Sequence, residues 1–150
     1  MPTLIVPEGF QYVTASVVAT SWLLAGQSVL VGRYRKNAGI PYPYAYAEKV
    51  EAANSPAANR FNCAQRAHQN TLESLPVVLV GTVITGLAHP ILAASLCGSW
   101  VLSRIFYTRG YITGEPKNRY GGLGALGSLA SIAVILSSTY VAGLQILANL

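Results

Sequence analysis

The densest chemistry in this sequence lies in one run, Arg60-Phe61-Asn62-Cys63-Ala64-Gln65-Arg66-Ala67-His68-Gln69-Asn70-Thr71-Leu72-Glu73-Ser74-Leu75-Pro76. Read as a helix, it puts Asn62, Arg66, Gln69, Asn70 and Glu73 at steps of three or four residues, on one face. A second cluster closes a later apolar segment, where Arg104, Tyr107 and Tyr111 share a stripe, with Arg119 beyond them. These residue types define what they would bind. A guanidinium grips a carboxylate through two parallel hydrogen bonds, a glutamate suits an ammonium, and side-chain amides suit peptide groups. A small zwitterionic peptide satisfies all three. Arg119, at a helix mouth, would then face a nascent anion such as a thiolate. A free thiol with a pKa of about 8.5 is only a few per cent ionised at neutral pH. Lowering it by about two units takes roughly 2.7 kcal/mol, a contribution within reach of one poorly solvated arginine.

Other uses of the same residues stand beside this one. The stripe from Arg66 to Glu73 could instead form an internal network of ion pair and amides that fixes helix packing. Tyr107 and Tyr111 would serve as interfacial anchors, and Arg119 as a charge that sets topology. His68 stands two positions from Arg66, about 200° around the helix. It therefore either packs within its own bundle or faces a second subunit.

The elements that must position these groups are helices in a membrane. Charged residues make up 10% of the 150-residue chain and hydrophobic residues 52%, where a soluble protein carries about 25% charge. The net charge of +5 falls in two places, with no long basic tract and no basic–aromatic interleaving. That pattern excludes a nucleic-acid surface and reads as a topology signal. Cys63 and Cys97 sit far apart in apolar segments, with no CxxC pair and no metal-ligand spacing, so no metal is expected. Without a basic region ahead of it, the first apolar segment reads as an anchor and not as a cleaved signal.

One domain over residues 1–150 is expected, an all-α integral membrane four-helix bundle with helices at about 10–32, 61–88, 91–111 and 122–148. Residues 33–60 form a polar connection broken by Pro41, Pro43 and Pro56, whose Tyr42, Tyr44 and Tyr46 suit a membrane boundary. Pro76 is expected to kink the second helix. Small residues (Gly121, Gly122, Gly124, Gly127, Ser128, Ala130, Ser131) let the last helix approach its neighbours. Nearly all Lys and Arg lie in the first and third connections, which places both in the cytoplasm. The polar start of helix two and the polar end of helix three then meet at the cytosolic level of one leaflet.

The run Phe61-Asn62-Cys63-Ala64-Gln65-Arg66-Ala67-His68-Gln69-Asn70-Thr71-Leu72-Glu73, followed by Pro76, resembles the second-helix signature of the MAPEG family (membrane-associated proteins in eicosanoid and glutathione metabolism). Arg109-Gly110-Tyr111-Ile112-Thr113-Gly114-Glu115-Pro116 resembles that family's third-helix exit, and the pair is most similar to its microsomal glutathione S-transferase 3 branch. The resemblance implies a homotrimer of four-helix subunits with glutathione held between neighbours. Arg66, Asn70 and Glu73, with Gln69, match its glutathione ligands on helix two, and Tyr107 and Tyr111 those on helix three. Arg33 matches a basic ligand lent by the adjacent subunit, His68 a position that also reaches the neighbour's glutathione, and Arg119 the arginine that stabilises the thiolate. Ser74 and Tyr34 depart from the leukotriene C4 synthase pattern, which has a tyrosine and an arginine there.

The resemblance thus implies a membrane glutathione transferase and peroxidase, placed in the endoplasmic reticulum with its site facing the cytosol. Its partners would be glutathione, a lipophilic electrophile or lipid hydroperoxide, membrane lipid and its own copies, without metal or nucleic acid. The alternatives are a non-catalytic lipid-binding or scaffold protein of the same family, a leukotriene C4 synthase-type activity, and a proton-coupled transporter.

Overall fold

A computed structural model describes residues 6–148 of the chain; the few residues beyond these at each end of the expected domain lie outside it. The order is α1 (Phe10–Ala38), a short α2 (Lys49–Asn54), α3 (Pro56–Gly86), α4 (Pro90–Tyr111) and α5 (Leu126–Leu147), with 3-10 turns at Pro116–Tyr120 and Gly122–Ala125 ahead of α5. Among the described residues there is no strand.

Local chemistry sets the boundaries, and some differ from expectation. The first helix does not stop at Gly32 but continues to Ala38, so Arg33, Arg35 and Lys36 lie on it. It ends at Gly39, whose φ of 69° suits a residue without a Cβ. There the N–H of Gly39 donates to Lys36 O and that of Ile40 to Arg35 O, a Schellman ending. Arg35 and Lys36 in the final turn also oppose the negative end of the helix dipole. The second long helix begins at Pro56, not near Phe61, because Ser55 caps it by accepting from Ala58 N at 3.3 Å and Pro56 occupies the first turn. Pro76 lies inside α3, which runs on through it. The expected fourth helix opens as a 3-10 turn from Gly122 and becomes α-helical at Leu126.

α3 and α4 pack together at the centre, with α1 against both from one side and α5 against both from the other. Val78, Cys97, Trp100 and Ala130 form one core, and Ile40, Ala47, Ala58 and Phe61 a second at the end where the connection after α1 folds back. α3 and α5 approach closely, since a Cβ on Gly81 would lie 2.4 Å from Val134 Cγ1. The outer surface is apolar, with Trp22, Val29, Leu102, Leu129, Ile132 and Leu136 exposed. Three helical segments, Phe10–Ala38, Pro90–Tyr111 and Gly122–Leu147, are long and apolar enough to cross a membrane. α3 is as long as these, but its first half carries the polar face and it does not meet the same measure of apolarity.

Candidate functional site

The C-terminal ends of α1 and α4 meet the N-terminal half of α3 and the start of α5 at one end of the bundle. There the α3 face assembles as its spacing requires. Arg66 Nη1 donates to Glu73 Oε1 at 2.7 Å across two turns, and this is the one ion pair among the described residues. Both side chains remain accessible, at 43% and 47% of their full exposure. Asn70 lies between them, its Nδ2 donating to Glu73 Oε2 at 3.4 Å.

From Asn70 the network crosses to α4. Arg104 Nη1 donates to Asn70 Oδ1 at 2.8 Å and Nη2 to Ser74 Oγ at 3.2 Å. The guanidinium lies 5.3 Å from the Trp100 ring centroid and 4.8 Å from that of Tyr107, within cation–π range. Arg104 is only 8% exposed, its Nε has no hydrogen-bond partner, and no carboxylate pairs with it among the described residues. A buried cation without an anion is costly, so such a group points to a negative ligand. Beside it opens a polar cleft of about 220 Å³, lined by Asn70, Arg104, Tyr107, Tyr120, Gly124, Gly127 and Ser128.

The rim is aromatic. Tyr107 meets Tyr111 edge-on at 5.5 Å and Tyr120 at 6.3 Å between centroids. Arg119 lies 4.3 Å from the Tyr120 centroid and 5.6 Å from that of Tyr111, and its Nη1 donates to Pro116 O at 2.6 Å. A hydrogen bond with the Tyr120 side chain, the largest influence on it, raises the Arg119 pKa and keeps the guanidinium charged. Two glycines seat the turn that carries it. A Cβ on Gly110 would lie 2.1 Å from Asn118 O, and one on Gly124 the same distance from Arg119 O. Tyr46, from the connection after α1, donates its hydroxyl to Gln69 Oε1. Burial, the largest influence, raises the phenol pKa and keeps that proton in place.

Arg66, Asn70, Glu73, Tyr107, Tyr111 and Arg119 therefore belong to one chain of contacts, with Gln69 tied to its edge through Tyr46. Two other expected site residues lie outside it within this chain. Arg33 is exposed near the end of α1. His68 turns to its own α1, where its Nδ1 lies 3.3 Å from Gln27 Oε1. Gln27 is buried and also donates to Thr71 Oγ1 at 3.0 Å and Thr108 Oγ1 at 2.8 Å. Arg104, Tyr120, Tyr46 and Gln27 were absent from the ligand set read in the sequence. Of these, Arg104 had a visible signal, an ionisable side chain within an apolar run.

The long apolar helices define an integral membrane protein, with a polar cleft between its helices at one end of the bundle. A model of the MAPEG family matches residues 12–140, most of the chain, and the chain belongs to that family. The family includes glutathione transferases, peroxidases and leukotriene C4 synthase, and its members use glutathione and typically form oligomers. Among the described residues no group of three or more His, Cys, Asp or Glu gathers as a metal site would need.

Proposed function

We propose that this protein is a membrane glutathione transferase and peroxidase of the microsomal glutathione S-transferase 3 type, acting as a homotrimer in the endoplasmic reticulum with its site open to the cytosol. The observation that carries the reading is Arg104, a buried guanidinium without a carboxylate, beside a polar cleft and joined through Asn70 to the Arg66–Glu73 pair. Glutathione presents two carboxylates, an ammonium and two peptide groups. In the proposed complex its ammonium goes to Glu73, one carboxylate to Arg104 and the other to Arg66, and its peptide groups to Asn70 and Gln69. Tyr107 walls the cleft with Tyr111 packed edge-on against it, and Arg33 and His68 contribute from a neighbouring subunit.

Arg119 favours the thiolate, and the released proton passes to solvent. The sulfur then attacks an electrophilic carbon, forming a C–S bond as the leaving group departs or a strained ring opens. With a lipid hydroperoxide it attacks the terminal oxygen, giving the lipid alcohol and a glutathione sulfenic acid. A second glutathione converts that acid to disulfide and water. The protein's contribution is orientation and preorganised positive charge.

One feature favours a second reading, lipid binding without chemistry. An apolar groove of about 470 Å³ runs between α1 and α4, lined by Trp22, Leu23, Leu30, Val101 and Ile105 with Arg109 at one end. Glutathione consumption by purified protein, with a generic electrophile and with a lipid hydroperoxide, separates the two. Turnover with either supports the enzyme; no turnover and no glutathione affinity at millimolar concentration leaves the lipid-binding reading.

A further inference from the structure

The connection from Gly39 to Glu48, rich in tyrosine and proline, has the composition of a segment resting loosely against lipid headgroups. It is instead strapped onto the start of α3. Arg35, 9% exposed, donates Nη1 to Tyr44 O at 2.6 Å while its guanidinium lies 4.5 Å from the Tyr42 ring and 4.6 Å from the Phe61 ring. The Asn62 side chain pairs with the backbone of Ala47 in both directions, accepting from its N–H at 2.8 Å and donating to its carbonyl at 3.0 Å. Ile40 and Ala47 are buried against Ala58 and Phe61. The residues flanking Tyr46 are thus held, and its hydroxyl is aimed at Gln69.

Gln69 stands on α3 one turn from Arg66 and Glu73. An amide oxygen only accepts and an amide nitrogen only donates. With its oxygen taken by the Tyr46 hydroxyl, Gln69 presents its two N–H groups on the other side, where they have no partner among the described residues. We infer that Tyr46 is a positioning residue of the proposed glutathione site, one that sets the Gln69 amide so that its N–H groups meet a carbonyl or carboxylate of the peptide beside Arg66. The strap formed by Arg35 and Asn62 makes that orientation a property of the empty protein, so binding need not order it. This inference rests on the glutathione reading, and its test is built to fail separately.

The full-length protein in lipid nanodiscs is compared with Tyr46→Phe, Gln69→Leu and the double variant. Glutathione affinity is measured by equilibrium dialysis, and steady-state kinetics with a soluble aryl halide. One neutral hydrogen bond is worth a factor of about 2 to 12 in binding. Tyr46→Phe is expected to raise both Kd and KM for glutathione about three- to tenfold, with kcat at saturating glutathione within about twofold of wild type. Gln69→Leu is expected to match it, and the double variant to bind no worse than the weaker single variant, because both remove one coupled unit. Gln69→Leu leaves the strap intact and carries the same expectation should Tyr46→Phe not fold. Wild-type affinity in either variant overturns the role of Tyr46, as does a fall in kcat without a change in KM, or additive effects in the double variant. A wild-type protein that binds no glutathione overturns the reading beneath it instead.

Discussion

Replacing Arg104 by Met separates a site from a packing network, because the two ideas set stability and binding in opposition. Met keeps much of the side chain's length against Trp100 and Tyr107 while removing its charge. The charge-assisted hydrogen bonds to Asn70 and Ser74 are each worth about 1.5–3 kcal/mol, and the ring contacts about 1–2 kcal/mol. Against them stands the desolvation of a buried cation with no counter-ion, several kcal/mol. The two sides nearly cancel. The partners left behind are neutral and partly satisfied, since the Ser74 hydroxyl also reaches Asn70 O and Thr71 O and the Asn70 amide reaches Glu73. Arg104→Met is therefore expected to shift Tm by no more than about 4 °C in either direction, near 1 kcal/mol for a chain of this size. Glutathione affinity should fall at least about tenfold, the loss of roughly 1.4 kcal/mol or more. Thermal melting of the unliganded protein in micelles and equilibrium dialysis read the two effects independently. A drop of about 10 °C with glutathione affinity intact would refute the reasoning and make Arg104 a strut between α3 and α4.

The remaining expectations concern how the site is held and used. Arg119→Ala should keep glutathione bound while cutting turnover about tenfold or more, as loss of one preorganised charge on the sulfur would; unchanged turnover in purified protein removes Arg119 from the mechanism. Arg66→Ala should instead weaken glutathione binding, and an unaltered dissociation constant undoes that assignment. Gly110→Ala places a Cβ 2.1 Å from Asn118 O and must lift the turn bearing Arg119; about 1–3 kcal/mol of stability and most of the turnover should go together, read by melting and by initial rates. Gln27→Leu removes the amide that joins His68, Thr71 and Thr108. At an average of about 0.6 kcal/mol for an interhelical hydrogen bond in a bilayer, it should cost roughly 1–2 kcal/mol, and a melting temperature equal to wild type would show that the pin contributes nothing.

How far the site could be read from the chain depended on how local each interaction is. The α3 stripe was legible because helical spacing alone brings Asn70 and Glu73 together at three residues, and Arg66 and Glu73 at seven. The end of α1 was misplaced because Arg33, Arg35 and Lys36 resemble a solvated loop, while the residue that ends the helix is Gly39, not Gly32. Arg104 was legible as an anomaly and illegible as a function. Its partner Asn70 lies 34 residues away on another helix, and its lack of a carboxylate is a property of everything packed around it. Gln27 was illegible for the same reason, its partners standing 41, 44 and 81 residues along the chain. Residue type and spacing therefore identify which groups share a face. They do not tell which of those groups the fold leaves unsatisfied, and an unsatisfied buried charge is what distinguishes a binding site from a finished core. On that criterion Arg104 is the stronger candidate for an anion subsite than Arg119: both guanidiniums are engaged by neutral acceptors and two aromatic rings, but Arg104 is only 8% exposed whereas Arg119 lies half-buried at the rim.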